Sequence, residues 1–253
     1  MMRRMAIVRW GWVSGGTALL LLAAVAGAQP LRSHGLPACR AELATCREDL
    51  QACETGLGGT EVQLLATGQT SCWNTLGNPI ACAGTGQDGE FQAGAALDYT
   101  DEGDGTIVDD TTGLMWEKLC DQDPAGETCP AEHDVDSTYV WAEAFAKIAM
   151  LNTAPCFAGY CDWRLPNVRE LASLIDYQVG KEPVVSAAFD TGCGAPCSVI
   201  GCSCTGTAYP YWSSTTLVRD PEIAWDVDFF VGEVAYEGKG TFELGVRAVR
   251  GGL

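Results

Sequence analysis

Thirteen cysteines in 253 residues narrow the folds open to this chain more than any other feature. In the cytosol, cysteines so spaced serve metal or redox work, whereas in an oxidising compartment they pair and staple short elements together. Their positions form two groups. Cys39, Cys46 and Cys53 recur every seven residues. The other ten lie between residues 72 and 204, mostly as close neighbours: Cys72 with Cys82, Cys120 with Cys129, Cys156 with Cys161, and then Cys193, Cys197, Cys202 and Cys204. Nearest-neighbour pairing is the simplest framework for the first three pairs, and the last four allow three connectivities. The spacing of those four does not match the paired C-x-x-C of a zinc knuckle, so disulfides are expected throughout.

The start of the chain agrees with an oxidising destination. Arg3, Arg4 and Arg9 precede an apolar run from Gly15 to Ala26, and Ala26-Gly27-Ala28 is a small-x-small cleavage site before Gln29. Residues 1–28 are therefore expected to be a signal peptide, and Gln29 in place of a cysteine argues against a lipid-anchored lipoprotein. No later segment is long and apolar enough to span a bilayer. The expected location is secreted, periplasmic or cell-surface, with no membrane insertion after signal removal. From residue 29 onward there are 12 Lys and Arg against 33 Asp and Glu. Such a chain has no general basic surface for phosphates, which argues against nucleic-acid partners and polybasic lipid docking. The two histidines, His34 and His133, leave little material for a His-based active site.

Residues 36–57 have the pattern of a short helical stalk. Leu43, Leu50 and Leu57 alternate with Cys39, Cys46 and Cys53 at spacings of four and three, an a/d seam with charged residues on the other faces. An odd number of thiols cannot all pair within one chain. Self-association through the stalk, with interchain disulfides at Cys39, Cys46 and Cys53, is the expectation. Residues 58–67 look like a linker, and residues 68–253 are long enough for one sizeable core. Within them, Trp141, Ala144, Phe145, Ile148, Ala149 and Leu151 make a helical stripe with Ser137 or Thr138 as candidate cap. Asn167 and Glu170 frame a capping box before Val168, Leu171, Leu174 and Ile175. Strand patterns cover Thr106–Val108, Gly113–Trp116, Tyr211–Thr215, Trp225–Phe229, Val234–Tyr236 and Val246–Arg250, with an Asp104-Gly105 hairpin turn. Helices with antiparallel strands give an α+β domain.

Seven motifs occur in order: Thr67-Gly-Gln-Thr, Gly84-Thr-Gly-Gln-Asp-Gly, Gly103-Asp-Gly-Thr-Ile, Thr112-Gly-Leu-Met-Trp, Asp162-Trp-Arg-Leu-Pro-Asn, Tyr211-Trp-Ser-Ser-Thr and Val246-Arg-Ala-Val-Arg-Gly-Gly. The set, over about residues 67–252, resembles the Lcl C-terminal domain family, named from a bacterial collagen-like adhesin. The resemblance implies a C-type-lectin-like fold, on the branch shared with formylglycine-generating enzymes. It also implies trimers and binding of sulfated glycosaminoglycans. Residues 68–253 hold nine Lys and Arg against 28 Asp and Glu, which opposes that last activity here. Formylglycine-generating activity requires reactive, copper-coordinating cysteines, and no matching pair stands in the C-terminal strands. No Ser-His-Asp set exists either, so the domain is expected not to be an enzyme.

The expected function is a secreted or cell-surface binding and adhesion module for an extracellular carbohydrate or protein. The alternatives are an envelope-structural oligomer without a soluble ligand and, third, a formylglycine-generating-like oxidase. Candidate ligand-binding residues are Trp212 and Tyr236 for stacking on sugar rings, with Asp220, Glu222, Asp226 and Asp228 as acceptors. Trp225 is expected in the core, because alternation turns it away from Asp226. Loops 190–210 and 217–223 are the expected carriers of ligand contacts. Asp101, Asp104 and Asp109 are candidate calcium ligands, set against solvated acids around a hairpin turn. Arg164 is expected to pair with a carboxylate at the entrance of the capped helix rather than to catalyse.

Overall fold

Short hairpins with aspartate-capped turns build the first half of the domain. The computed structural model describes residues 64–122, 128–194 and 196–252. The expected signal peptide (1–28) and stalk (36–57), with Cys39, Cys46 and Cys53, lie outside the described residues. β1 (Cys72–Trp73) and β2 (Pro79–Ile80) pair antiparallel, joined by the Cys72–Cys82 disulfide, and α1 (Asp88–Phe91) follows. β3 (Tyr99–Asp101) and β4 (Thr106–Asp109) meet at the expected turn. Asp104 Oδ1 accepts from the backbone N–H of Thr106 at 3.1 Å and from its hydroxyl at 2.6 Å. Gly105 has a φ of +101°, and a Cβ there would lie 3.1 Å from the Phe157 ring, so glycine serves both the turn and the close approach. Asp109 caps the next turn through Thr111 N–H at 2.9 Å and the Thr112 hydroxyl at 2.6 Å. That turn leads into β5 (Leu114–Glu117).

α2 (Trp141–Leu151) and α3 (Val168–Ala172) come between the two sheets in the chain. α3 starts at the expected capping box. Asn167 Oδ1 accepts from the backbone N–H of Arg169 at 2.9 Å and of Glu170 at 3.1 Å, and Glu170 accepts from the Asn167 N–H at 2.8 Å. α2 departs from expectation at its cap. Its N-cap is Val140, not Ser137 or Thr138, and only the Glu143 carboxylate reaches back to the Val140 N–H, at 3.4 Å. The buried stripe is Ala144, Lys147, Ile148 and Leu151, and Phe145 and Ala149 turn outward.

β6 (Tyr211–Thr216), β7 (Ile223–Asp228) and β8 (Glu233–Gly238) form a three-stranded antiparallel sheet. β9 (Val249–Gly251) returns to pair with β5, completing a sheet of order β3-β4-β5-β9. The terminal strand is shorter than its apolar pattern: Ala248 O accepts from the Glu117 N–H, but Val246 O accepts from Lys147 Nζ and the Ala248 N–H donates to the Glu117 carboxylate. One core joins Ile107, Leu114 and Trp116 to Leu171, Leu174, Phe189, Tyr211 and Val227. A second packs Ala144, Ile148 and Leu151 of α2 against Trp163, Leu165, Trp212 and Ala224. This is the expected α+β architecture of few short helices with antiparallel sheets.

Five disulfides staple it. Cys120–Cys129 and Cys156–Cys161 pair as neighbours, as Cys72–Cys82 does. The connectivity left open by the sequence is nested, Cys193 with Cys204 around Cys197 with Cys202. The last residues of the expected linker belong to the domain: Ala66 N–H donates to Ala95 O at 2.7 Å, and Tyr177 N–H to Thr67 O at 2.9 Å.

The Asn167 cap supplies a test. Asn167→Ala removes the acceptor for two helix-start N–H groups and should destabilise the domain by about 1 kcal/mol, read as a lower midpoint in urea with an unchanged slope.

Candidate binding site

The chemistry-bearing part of the domain is the three-stranded sheet and the loops at its end, held against the rest by a buried charge network. Alternation and register divide the sheet into two faces. Ala224, Asp226 and Asp228 of β7 lie opposite Glu237, Ala235 and Glu233 of β8, and Trp212 of β6 lies opposite Asp226. Trp225 and Tyr236 are a cross-strand pair on the other face, with rings edge-on and centroids 5.6 Å apart.

At the end of this sheet a pocket of about 500 Å³ is lined by Tyr209, Pro210, Glu237, Thr241, Phe242, Glu243 and Leu244. Tyr209 and Phe242 are about half exposed. They come from two loops that flank the sheet in sequence, 206–210 before β6 and 239–245 after β8. Tyr209 also borders a smaller pocket of about 180 Å³ with Val135, Asp136, Gly206 and Tyr211. Beside it, Asp121, Asp134 and Asp136 each bring an oxygen within 4.8 Å of the others, a grouping the sequence did not suggest.

The network that holds this end of the molecule centres on Glu117, which has no exposed surface. Its Oε1 accepts from His133 Nδ1 at 2.7 Å, and its Oε2 accepts from Lys147 Nζ at 2.8 Å and from the Ala248 N–H at 2.7 Å. Lys147, on the buried stripe of α2, also donates to Val246 O at 2.7 Å. Arg247, wholly buried, donates to Glu117 O at 3.0 Å, to Thr205 Oγ1 at 3.0 Å and to Cys204 O. Burial alone would raise the Glu117 pKa, but the Lys147 ammonium and His133 outweigh it and hold the carboxyl at about 2.

The sequence candidates are scattered over this frame. Trp212 is fully buried, with its indole N–H donating to Tyr139 O at 2.7 Å, so it is a core residue and offers no face to a sugar. Trp225, expected in the core, is only partly buried. Tyr236 is 47% exposed but sits on the opposite face from Asp226 and Asp228. Asp220 and Glu222 are exposed in the β6–β7 turn, where Asp220 stands 3.7 Å from Arg219. Asp228 Oδ1 accepts from the Phe230 N–H at 2.7 Å. Asp226 is fully buried and neither carboxylate oxygen has a hydrogen-bond partner among the described residues.

The calcium candidates are not brought together. Asp101 pairs with Lys118 at 2.7 Å, Asp104 caps the β3–β4 turn, and Asp109 caps the β4–β5 turn at the far end of the hairpin. Arg164 is bidentate on Glu170, at 2.7 and 2.8 Å, in the expected positioning role, whereas Asp162 pairs with Arg250 at 2.7 Å. The pocket residues Tyr209 and Pro210 fall in the loop region expected to carry contacts. Thr241, Phe242 and Glu243 were missed, because a single aromatic beyond a hairpin gives no periodic signal.

A family model described as the Lcl C-terminal domain matches residues 105–250, starting later than the Thr67 at which the ordered motifs begin. No curated protein matches the chain.

The network predicts an acid limit. A carboxyl with a depressed folded-state pKa contributes stability that is complete above its ordinary value of 4.5 and is lost as pH falls through about 2. Glu117→Gln should cost about 3–5 kcal/mol at neutral pH, leaving Lys147 buried without its charge partner, and should flatten that acid dependence. Denaturant midpoints measured across the acid range check both.

Proposed function

The chain belongs to the Lcl C-terminal domain family, and on that footing we propose that it is an exported, non-catalytic binding module whose pocket takes a carbohydrate. The observation that carries this is the pairing of two half-exposed rings, Tyr209 and Phe242, with two carboxylates, Glu237 and Glu243, around one 500 Å³ pocket. Aromatic faces take the apolar faces of sugar rings, and carboxylates accept hydrogen bonds from hydroxyls. Five disulfides suit an oxidising compartment. Among the described residues no helix is long and apolar enough to cross a membrane.

The ligand is neutral or cationic rather than sulfated. Six of the domain's basic side chains are already engaged: Lys118, Lys147, Arg164 and Arg250 with carboxylates, Arg247 with carbonyls, and Lys239 with Thr216 Oγ1, Pro221 O and the Trp141 ring. A sulfated polymer would meet carboxylates at the pocket.

A glycan and protein array is the test. Neutral or amino-sugar glycans should be retained, and Phe242→Ala should weaken the best of them by about tenfold, ~1.4 kcal/mol, with the melting temperature little changed. Retention of protein ligands alone, or of heparin-like glycans, would overturn the assignment.

The alternative envelope-structural reading draws on a different surface. Tyr177, Phe230, Val231, Val234 and Tyr236 are all at least 40% exposed, an apolar face suited to a sister subunit. Oligomerisation through the stalk is proposed in either case. The unreduced protein should run as a covalent multimer on a gel, and replacing Cys39, Cys46 and Cys53 by Ser should reduce it to single chains. An entirely monomeric unreduced band would refute the stalk.

A further inference from the structure

Asp226 is in the middle strand of its sheet, and its charged neighbours along β7 and across on β8 are acidic, while Lys239, just beyond β8, is engaged by Thr216 Oγ1 and Pro221 O. Asp226 is flanked along β7 by Asp228, and across on β8 by Glu233 and Glu237, all on one face by register. From β6, the residue opposite is Trp212, whose indole N–H is committed to Tyr139 O. From β8, the residue opposite is Ala235, whose small side chain leaves space between the two glutamates. None of the four carboxylates forms an ion pair among the described residues. Asp228 spends one oxygen on the Phe230 N–H, and both oxygens of Asp226 are buried without a hydrogen bond.

A buried carboxylate with no donor is costly, and it persists where a proton or a cation neutralises it. Burial first, and then repulsion from Glu237, Asp228 and Glu233, pushes the Asp226 pKa up to about 7.

We propose that Asp226 and Glu237, flanked by Asp228 and Glu233, form a site for a hard divalent cation such as Ca²⁺ or Mg²⁺. The donors on this face are all carboxylate oxygens, the set such ions select, and no thiol or imidazole stands among them to favour a softer metal. Asp226 is the fixed, buried ligand. No three of these acids already bring oxygens within 4.8 Å of one another, so the site forms only as exposed Glu233 and half-buried Glu237 close their longer side chains over the ion from the solvent side. A compact ion suits a carboxylate with no exposed surface, whereas an organic ammonium group would stop at the pocket rim. Glu237 lines that pocket, so the cation would sit at its wall. The site is distinct from Asp101, Asp104 and Asp109.

The test uses the full chain stripped with a chelator and titrated with Tb³⁺ at about pH 8, where carboxylates are ionised. Trp212, directly across from Asp226, is placed to sensitise the lanthanide. The expected result is saturable emission that CaCl₂ displaces, together with a rise in melting temperature on adding CaCl₂. Both responses should be lost in Asp226→Asn and weakened in Glu237→Gln, and Asp226→Asn should melt above the stripped wild type. Equal responses in wild type and Asp226→Asn would overturn the site, since they would report diffuse screening of an acidic protein. So would an unresponsive wild type that gains stability on acidification when Asp226→Asn does not, because a proton alone would then satisfy Asp226. Should Asp226→Asn fail to fold, an unaltered titration in Glu237→Gln overturns it equally. No glycan enters the measurement, so its failure leaves the carbohydrate pocket standing.

Discussion

The buried carboxylate of Glu117 joins four segments that lie far apart along the chain. β5 supplies the acid, the 131–133 turn supplies His133, α2 supplies Lys147, and the segment before β9 supplies the Ala248 N–H. A charge taken out of water is tolerable only when every lone pair is met, so these four segments must arrive together. Arg247 extends the constraint. It ties the backbone carbonyl of Glu117 to Cys204 and Thr205, and hence the sheet to the nested disulfides. The loop that follows, 206–210, carries one wall of the candidate pocket. One wall of the pocket is thus tied, through Arg247, to a charge buried in the core.

What the sequence revealed was mostly local. The Asn167 and Glu170 cap, the Asp104-Gly105 turn and three of the five disulfides depend on residues a few positions apart, and their chemistry is visible in the string. The misplacements all involve partners far along the chain. A count of apolar positions turned Phe145 and Ala149 of α2 inward. The helix is instead rotated so that Lys147 meets Glu117, thirty residues away, and that pairing has no periodic signature. Trp212 and Trp225 were exchanged between core and surface for a similar reason. Alternation within one strand tells which residues share a face, but which face is covered depends on where α2 and the 239–245 loop pack. The candidate ligand set mixed both faces of the sheet, and the pocket draws on loops separated by the entire β6–β8 meander.

The acidity of the domain is unevenly shared. Basic side chains are drawn inward, with Lys118, Lys147 and Arg247 all essentially buried, while most carboxylates remain at the surface. A net charge near −20 would on its own suggest only a soluble, repulsive particle. Its arrangement says more: cations of the chain hold the architecture, and the anions are left to face whatever the protein meets.

β8 is the outer strand of its sheet among the described residues. The opposite margin, β6, is covered, since Trp212 N–H donates to Gly245 O and Ser214 N–H to Pro166 O. An uncovered strand margin is a template on which a second molecule can pair and propagate a fibre. Glu233 and Glu237 bracket the exposed Val234 and Tyr236 on that strand. Two copies approaching margin to margin would force four carboxylates together. The same acids that strain the sheet from within keep one molecule's edge from becoming the next molecule's mould.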